Sequence, residues 1–275
     1  MDFVESSFFN VHGPKARLPT PAEVRALSPR SRPVRFEQLD LFVKFGYEVA
    51  IEEAQCLWAV RKVFGQDVPV PEVYGWRVDE DQIFIYMQLI RGQTLAERWD
   101  FLSHSDKSTI CDQLRQMIAS LRRTEQDPSD PFIGSINRGA LLDYIFQGKP
   151  KGGPFANISL FHDWLSWLPW RWLPPSQNFV DPYKSLLPDT GTITLTHCDL
   201  HRGNIIISTT APPRVLAIVD WGQSGWYPDY WEYCKACYTA PDWEEWRSEW
   251  IPTFLSPRME EAEIVSEYVI AMGSV

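Results

Sequence analysis

Apolar side chains alternate with polar ones in the first third of the chain, a spacing typical of half-buried β-strands. Residues 34–45 (VRFEQLDLFVKF) predict two short strands around a tight turn, because Leu41, Val43 and Phe45 recur at every second position. Lys44 then points away from the face that these three side chains form. Such a lysine is either an edge residue that faces water or a group that reaches a ligand.

The same alternation and the 3.6-residue period of amphipathic helices outline the rest of the chain. Residues 72–78 and 82–89 predict a second pair of strands, joined across three acidic residues. Helices are predicted over residues 21–27, 48–64, 95–99, 106–122, 158–167, 177–186, 229–238, 241–250 and 260–272. The chain therefore reads as a small antiparallel sheet followed by a mainly helical region.

A further predicted hairpin carries the side chains with the clearest chemistry. Its strands are the β-branched runs 204–208 (NIIIS) and 214–219 (RVLAIV), joined by the turn sequence TTAPP. Asp199 precedes the first run, Asn204 begins it, and Asp220 ends the second. Two carboxylates and a carboxamide at one end of a small sheet suit Mg²⁺, which prefers hard oxygen ligands and substrate phosphates.

Composition narrows the classes of partner. The 275 residues carry a net charge of −10 and a pI near 5.0, so we expect no nucleic-acid partner. The acidic balance suits a cationic substrate and is equally ordinary for a cytoplasmic protein. The chain has no apolar run long enough to span a membrane and no secretory signal pattern, so we expect a cytoplasmic protein with no membrane partner. The sequence leaves the oligomeric state open.

The loop from His197 to Asn204 (HCDLHRGN) resembles the H-x-D-L-H-x-x-N loop of the aminoglycoside and choline phosphotransferases. Residues 218–222 (IVDWG) resemble the metal-binding element that follows this loop in the same family. The resemblance spans about residues 43–238, and members of fungal type are expected to be the closest. It implies an α+β, two-lobed protein-kinase-like fold. The N-lobe would be a small antiparallel sheet, either complete or truncated, and the C-lobe would be mainly helical.

The resemblance also implies which part of the chain binds the nucleotide and which part binds the acceptor. Residues 1–90 would form the nucleotide-binding N-lobe with its hinge, and residues 91–275 the C-lobe with the catalytic loop and metal site. A helical region at about 149–190, which is rich in tryptophan, would bind the acceptor substrate. Asp163 and Asp181 fall within this region.

By this resemblance, the protein would be a small-molecule kinase that transfers the γ-phosphate of ATP, or of GTP, to a hydroxyl group. Asp199 would be the catalytic base. Asn204 and Asp220 would hold Mg²⁺, and Asn204 would also contact the nucleotide. The acceptor would be a small molecule, of cationic or aromatic character, that the sequence does not identify.

The remaining cofactor-binding residues lie in the predicted N-lobe. Lys44 would bind the nucleotide phosphates and would be held in place by a glutamate of the following helix. Glu53 matches the family's E-A step, with Glu52 as the reserve candidate. Backbone groups around Met87 and Leu89 would meet the edge of the adenine ring.

The sequence departs from the kinase pattern ahead of Lys44. A glycine-rich loop normally covers the phosphates there, yet Gly13 is the only glycine among the first 43 residues. The basic segment Arg30-Ser31-Arg32 is one hypothetical replacement. The missing loop favours an alternative function, a non-catalytic nucleotide-binding or scaffold protein with a kinase-like fold.

Two other interpretations fit less of the sequence. A protein kinase would need a long activation segment after Asp220, and the chain instead runs directly into Trp226-Tyr227-Pro228. His197, Cys198 and His201 have a spacing that could suit zinc. The phosphotransferase pattern accounts for more of the residues in this segment.

Overall fold

The computed structural model of the protein describes residues 1–13, 15–30, 32–174 and 180–273. The first half contains α1 (Ser7–His12), α2 (Pro21–Leu27), β1 (Val34–Phe36), β2 (Leu41–Gly46), α3 (Ile51–Phe64), β3 (Val73–Asp79), β4 (Gln82–Gln88), β5 (Gln93–Thr94), α4 (Leu95–Arg98) and α5 (His104–Arg122). The predicted strands around Lys44, the hairpin that follows them and the helix at residues 21–27 are all present.

The second half contains α6 (Ile158–Trp170), β6 (Ile193–Thr196), β7 (Ile205–Ile207), β8 (Val215–Ile218), β9 (Gly225–Pro228), α7 (Trp231–Tyr238), α8 (Ile251–Phe254) and α9 (Met259–Ala271). A π-helical turn, Trp246–Trp250, leads directly into α8. Part of the helix predicted at residues 177–186 lies outside the described residues, and Lys184–Leu186 forms a single 3₁₀ turn.

The chain divides into two compact units. Unit 1 comprises Met1–Thr109 and Arg202–Gly222, and unit 2 comprises Ile110–His201 and Gln223–Val275. The hairpin that carries Asn204 and Asp220 therefore belongs to unit 1. The assignment of nucleotide binding to residues 1–90 and of acceptor binding to about 149–190 stays a prediction.

Unit 1 is built on an antiparallel sheet with the strand order β1-β2-β4-β3. Leu41, Val43 and Phe45 of β2 are buried, whereas Lys44 lies on the opposite face, opposite Ile85 of β4. This arrangement confirms the alternation expected from the sequence, since successive side chains of a strand point to opposite faces.

The N-terminal segment covers the apolar face of this sheet. Phe8 and Phe9 of α1, Val24 of α2, and Leu18 ahead of α2 are buried in one cluster with side chains of the sheet, namely Val34, Leu41, Val43, Phe45, Tyr74, Phe84 and Tyr86. The Thr20 hydroxyl accepts the Glu23 N–H and the Glu23 carboxylate accepts the Thr20 N–H, which fixes the start of α2. Among the described residues, the N-terminal segment therefore does not cover the opposite face of β2, which carries Lys44.

A second, three-stranded sheet of unit 1 has the order β5-β7-β8. The β7–β8 pair is the hairpin predicted from the two β-branched runs, and it is antiparallel, with Ile205 opposite Ile218. Gly92 allows the chain to pass close to β7, because a Cβ at this position would lie 2.6 Å from the carbonyl oxygen of Ile207.

Unit 2 is mainly helical, with β6 and β9 paired antiparallel. Its core is rich in aromatic side chains from α6, α7 and α9, and the ring of Trp231 stacks on that of Tyr227 at 5.5 Å. The tryptophans of the predicted acceptor region differ in environment. Trp164 is partly buried against the core, whereas Trp167 is 48% exposed and Trp172 is 78% exposed.

Among the described residues, none of the helices combines the length and the apolar character needed to cross a membrane.

We predict that Phe8→Ala destabilises the protein by about 3 kcal/mol, because it leaves a cavity between α1 and the sheet. Phe8 is 3% exposed and contacts the rings of Phe9 and Tyr74 at 5.1 and 5.4 Å. Val11→Ala is the matched control, since Val11 lies in the same helix and is 77% exposed. Equal urea denaturation midpoints for the two variants would show that α1 does not stabilise the sheet.

Candidate functional site

One ammonium group is shared by two carboxylates on the open face of the unit 1 sheet. Lys44 Nζ lies 2.8 Å from Oε2 and 3.0 Å from Oε1 of Glu53 in α3, and 2.7 Å from Oδ1 of Asp220. Glu53 is 2% exposed, whereas the Asp220 side chain is 42% exposed. The expected pairing of Lys44 with Glu53 is therefore present, and Asp220 joins it.

This cluster carries more negative than positive charge. Burial, together with the nearby Asp220 charge, raises the pKa of Glu53 to about 7 despite the opposing effect of Lys44. Burial also disfavours the charged form of Lys44, but the two carboxylates outweigh it and raise the lysine pKa above its ordinary value. Lys44 therefore stays protonated at neutral pH.

The β7–β8 hairpin positions the two predicted metal ligands. The Val219 N–H donates to the Asn204 carbonyl oxygen at 2.9 Å, which holds Asn204 beside the end of β8. The Ile218 N–H donates to the Pro69 carbonyl oxygen at 2.9 Å and so fixes the strand that leads to Asp220. Asp220 has φ 64°, a left-handed conformation that is unfavourable for a residue with a side chain and is common at functional sites.

A cavity of about 210 Å³ in unit 1 contains this cluster at its polar part. Its apolar walls include Phe42, Ile206 and Val219. Met87 and Leu89 also border it, as expected for the predicted hinge. The cavity therefore combines apolar walls with a small number of charged groups, a combination that is common in sites for small molecules.

The backbone of the hinge is partly engaged already. The Leu89 N–H donates to the Asp40 carbonyl oxygen at 2.8 Å, and the Gln88 N–H donates to the Glu72 carbonyl oxygen at 2.8 Å. These two N–H groups are therefore occupied by protein acceptors. The prediction that backbone groups around Met87 and Leu89 meet the adenine edge stays a prediction, and the N–H groups of Gln88 and Leu89 are not among the available donors.

Arg35 borders this cavity and was not predicted. It lies opposite Phe42 in the β1–β2 pair, so both side chains are on the same face of the sheet as Lys44. The alternation in residues 34–36 contains this information, but without the pairing register it cannot assign the face. Arg35 is thus a further basic group that could cover the phosphates. The role of Arg30-Ser31-Arg32 stays a hypothesis, and Ser31 lies outside the described residues. The β1–β2 connection at residues 37–40 contains no glycine.

The donor set fits Mg²⁺ that completes its coordination with phosphate oxygens. Asp220 offers a carboxylate and Asn204 a carboxamide to the same cavity. A Cβ on Gly222 would lie 3.3 Å from Glu53 Oε2 and 3.5 Å from Asp220 Oδ1, so the glycine keeps space open beside the carboxylates. Within the part of the chain that the structure describes, no three His, Cys, Asp or Glu side chains are grouped as metal ligands. The zinc interpretation thus gains no support.

The loop that carries Asp199 is held within unit 2 by one buried carboxylate. Glu232 of α7 accepts the His197 N–H at 2.6 Å and the Cys198 N–H at 3.2 Å. Cys198 has φ 66°, which turns the chain sharply just before Asp199. Glu232 therefore braces this loop from α7.

Both histidines of the loop contact the predicted base. The Asp199 N–H donates to His197 Nδ1 at 3.1 Å, and His201 Nε2 lies 3.8 Å from Asp199 Oδ2. The His201 N–H donates to the Asp199 carbonyl oxygen at 2.9 Å. His197 and His201 therefore help to shape the loop around Asp199.

A buried ion pair behind this loop was missed by the sequence analysis. Lys235 Nζ lies 2.7 Å from Asp143 Oδ1, and the two side chains are 2% and 0% exposed. Trp231 Nε1 donates to Asp143 Oδ2 at 2.9 Å, so the carboxylate is satisfied on both oxygens. No local pattern links positions that are so far apart in the chain.

Solved structures of aminoglycoside phosphotransferases share this fold. An aminoglycoside-3'-phosphotransferase of type VIII matches with a TM-score of 0.54 at 16% identity, covering 90% of this chain and 97% of that chain. A thermostable mutant of APH(4)-Ia, in a ternary complex with AMP-PNP and hygromycin B, matches with a TM-score of 0.53 at 14% identity, covering 85% and 76%. The streptomycin–ATP–APH(2")-IIa complex matches with a TM-score of 0.50 at 14% identity, covering 93% and 99%. The α+β, kinase-like fold is thereby confirmed.

The sequence model of the phosphotransferase enzyme family matches residues 46–263, which is most of the chain. The chain therefore belongs to the phosphotransferase enzyme family, as its motifs predicted, and this membership supports a small-molecule phosphotransferase. No curated protein sequence matches the chain significantly. The expected closeness to members of fungal type stays a prediction.

The raised pKa of Glu53 predicts a specific dependence of stability on pH. The folded state binds this proton more tightly than the unfolded chain, in which the pKa is near 4.5, so the stabilisation is present at low pH and is lost as pH rises through about 7. Between pH 5 and pH 8, the free energy of unfolding of the wild type should fall relative to that of Glu53→Gln by at most about 3 kcal/mol. Urea denaturation at each pH measures this difference.

Glu52→Gln is the matched control, since it makes the same change one residue earlier in α3. Because Glu53 is the residue that contacts Lys44, Glu52→Gln should keep the wild-type profile. Parallel pH profiles for the wild type and Glu53→Gln would contradict the assignment.

Proposed function

We propose that the protein is an ATP- (or GTP-) dependent kinase that phosphorylates a hydroxyl group of a small molecule in the cytoplasm. The observation that carries the proposal is the Lys44–Glu53–Asp220 cluster in a cavity that Asn204 also borders. This set combines a fixed cation for phosphate oxygens with oxygen ligands for a metal ion. Phosphoryl transfer depends mainly on such positioning and charge neutralisation.

Within this proposal, Lys44 binds the α- and β-phosphates and Glu53 keeps its ammonium directed into the cavity. The buried carboxylate can do so because both of its oxygens accept from Nζ. Asn204 and Asp220 hold Mg²⁺, which supplies neutralisation of the charge on the β- and γ-phosphates. The adenine ring occupies the slot between Phe42 and Ile206, and its edge faces the hinge backbone near Met87 and Leu89.

Asp199 accepts the proton of the acceptor hydroxyl. As the hydroxyl oxygen forms a bond to the γ-phosphorus, the bond from that phosphorus to the bridging oxygen breaks and the nucleoside diphosphate leaves. The geometry of the loop supports this role of Asp199. Glu232 accepts the backbone N–H groups of the two preceding residues, and His197 accepts the N–H of Asp199 itself. These contacts fix the backbone from which the Asp199 carboxylate projects, which favours a constant position of the base.

The acceptor is proposed to be a small cationic or aromatic molecule. The predicted acceptor region contains a cavity of about 810 Å³ whose walls include Trp167, Trp170, Asp163 and Asp181. Asp163 forms an ion pair with Lys184. The aromatic walls and acidic groups support the class of acceptor, and its identity calls for a substrate screen.

The alternative is a nucleotide-binding protein without catalysis. The observation that favours it is the β1–β2 connection, a 3₁₀ turn at Glu37–Leu39 followed by Asp40, where kinases place a glycine-rich phosphate cover. Arg35 borders the cavity there and could contact the nucleotide from the same side. Nucleotide binding is common to both functions, so phosphoryl transfer distinguishes them.

Asp220→Asn should remove the metal-dependent part of nucleotide binding, because a carboxamide is a weaker Mg²⁺ ligand than a carboxylate. We expect ADP affinity in the presence of Mg²⁺ to fall about tenfold or more, and metal-free affinity to change little. Isothermal titration with and without Mg²⁺ measures both. Asp130→Asn, at an exposed ion pair with Arg138, is the control. An unchanged Mg²⁺ effect in Asp220→Asn would refute the metal role.

Asp199→Asn should abolish phosphoryl transfer while nucleotide affinity persists, since the carboxamide keeps the shape of the side chain but cannot accept the proton. A loss of about 10²- to 10⁴-fold is expected. The measurement is ATP consumption with a panel of hydroxylated amines and aromatic alcohols, with Asp127→Asn, an exposed turn residue, as the control. If wild type and Asp199→Asn consume ATP at the same background rate with every compound, the non-catalytic alternative is favoured.

A further inference from the structure

Unit 2 contains a second cavity, of about 350 Å³, in which arginines predominate over acidic groups. Its charged walls are Arg115 and Arg122 of α5, Arg258 ahead of α9, and Asp229 after β9. Three guanidinium groups thus line the cavity beside one carboxylate, in a protein whose net charge is −10. Such a group of arginines in an acidic protein is a local arrangement that overall composition does not explain.

Arg122 is the member of this group that lacks a carboxylate partner. Arg258 lies 2.8 Å from Asp229 and 3.6 Å from Glu261, and Arg115 forms an ion pair with Asp112. Among the described residues, Arg122 forms no ion pair, and its guanidinium donates to the hydroxyl of Thr194. A partly buried guanidinium group without a carboxylate in direct contact is stabilised when an anion joins it.

The electrostatic environment of Arg122 agrees with this geometry. Burial lowers the pKa of Arg122 below its ordinary value, and Glu232 and Asp229 offset the effect only in part. Arg258 acts in the same direction as burial, because its positive charge repels that of Arg122. An anion between the two guanidinium groups would relieve both effects.

Hydroxyl groups supply further donors on the same walls. Thr192 and Thr194 at β6, and Ser256 in the connection after α8, border the cavity. Guanidinium forks and hydroxyls together match a tetrahedral oxyanion, which accepts several hydrogen bonds from different directions. The apolar part of the wall, from Ile118 and Phe254, leaves room for a small organic group beside the anion.

We propose that this cavity is a binding site for a small phosphate-type anion, either inorganic phosphate or the phosphate group of a small ester. Arg122 is its central ligand, Arg258 the second cation, and Thr194 and Ser256 the hydroxyl donors. The site lies entirely in unit 2 and uses none of the residues assigned to nucleotide binding or phosphoryl transfer. It therefore stands whether or not the proposed kinase activity does.

Calorimetric titration of inorganic phosphate and of glycerol 3-phosphate into the full-length wild type tests the proposal, with potassium chloride at equal ionic strength as the blank. Arg122→Gln should weaken phosphate binding at least about tenfold, since it removes a charge-assisted contact. Arg258→Gln should weaken it less, because this arginine is already shared with Asp229 and Glu261. Arg138→Gln, an exposed arginine paired with Asp130, makes the same charge change and should bind as the wild type does.

The comparison with Arg122→Gln isolates this cavity, because Lys44 is present in every variant. Tighter binding of glycerol 3-phosphate than of phosphate would identify an ester as the ligand, and equal affinities would identify free phosphate. Wild-type affinity in Arg122→Gln would overturn the proposal. If circular dichroism shows that this variant does not fold, Arg258→Gln decides: weakened binding supports the site, and wild-type affinity rejects it.

Discussion

The sharing of the Lys44 ammonium between Glu53 and Asp220 is the interaction on which the arrangement of unit 1 depends. A carboxylate as buried as Glu53 is tolerated only with a cation in direct contact, because desolvation penalises an unpaired charge heavily. That requirement fixes β2, which carries the lysine, against α3, which carries the glutamate. The contact with Asp220 fixes the end of β8 to both.

The strand that carries Lys44 also has an apolar face. The face of β2 that carries Lys44 borders the cavity, and the apolar residues of the other face are covered from elsewhere in the chain. The N-terminal segment provides this cover through α1 and α2, whose buried side chains join the sheet cluster. The residues ahead of β1 therefore serve the core, and Arg35 is the basic group that this part of the chain presents to the cavity.

The local features of this design could be predicted from the sequence, and the non-local ones could not. Alternation located Lys44 on the correct face, and the two β-branched runs located the hairpin of Asn204 and Asp220, because both signals lie within a few residues. The engaged N–H of Leu89 and the face of Arg35 depend on the pairing of strands. The ion pair of Asp143 with Lys235 joins two helical regions far apart in the chain, for which the sequence offers no periodic signal.

Unbalanced charge is the common physical argument at both proposed ligand sites. In unit 1, two carboxylates contact one ammonium, and the proposed ligand beside Asp220 is a cation such as Mg²⁺. In unit 2, Arg122 donates to a hydroxyl and forms no ion pair among the described residues, and the proposed ligand is an oxyanion. The balanced pair of Asp143 and Lys235 is the contrasting case: both charges are satisfied, solvent is excluded, and the contact serves to hold α7 in place behind the loop of Asp199. The Asp143–Lys235 pair thus supports the fold, whereas the charges at the two proposed sites are the reason for proposing a ligand there.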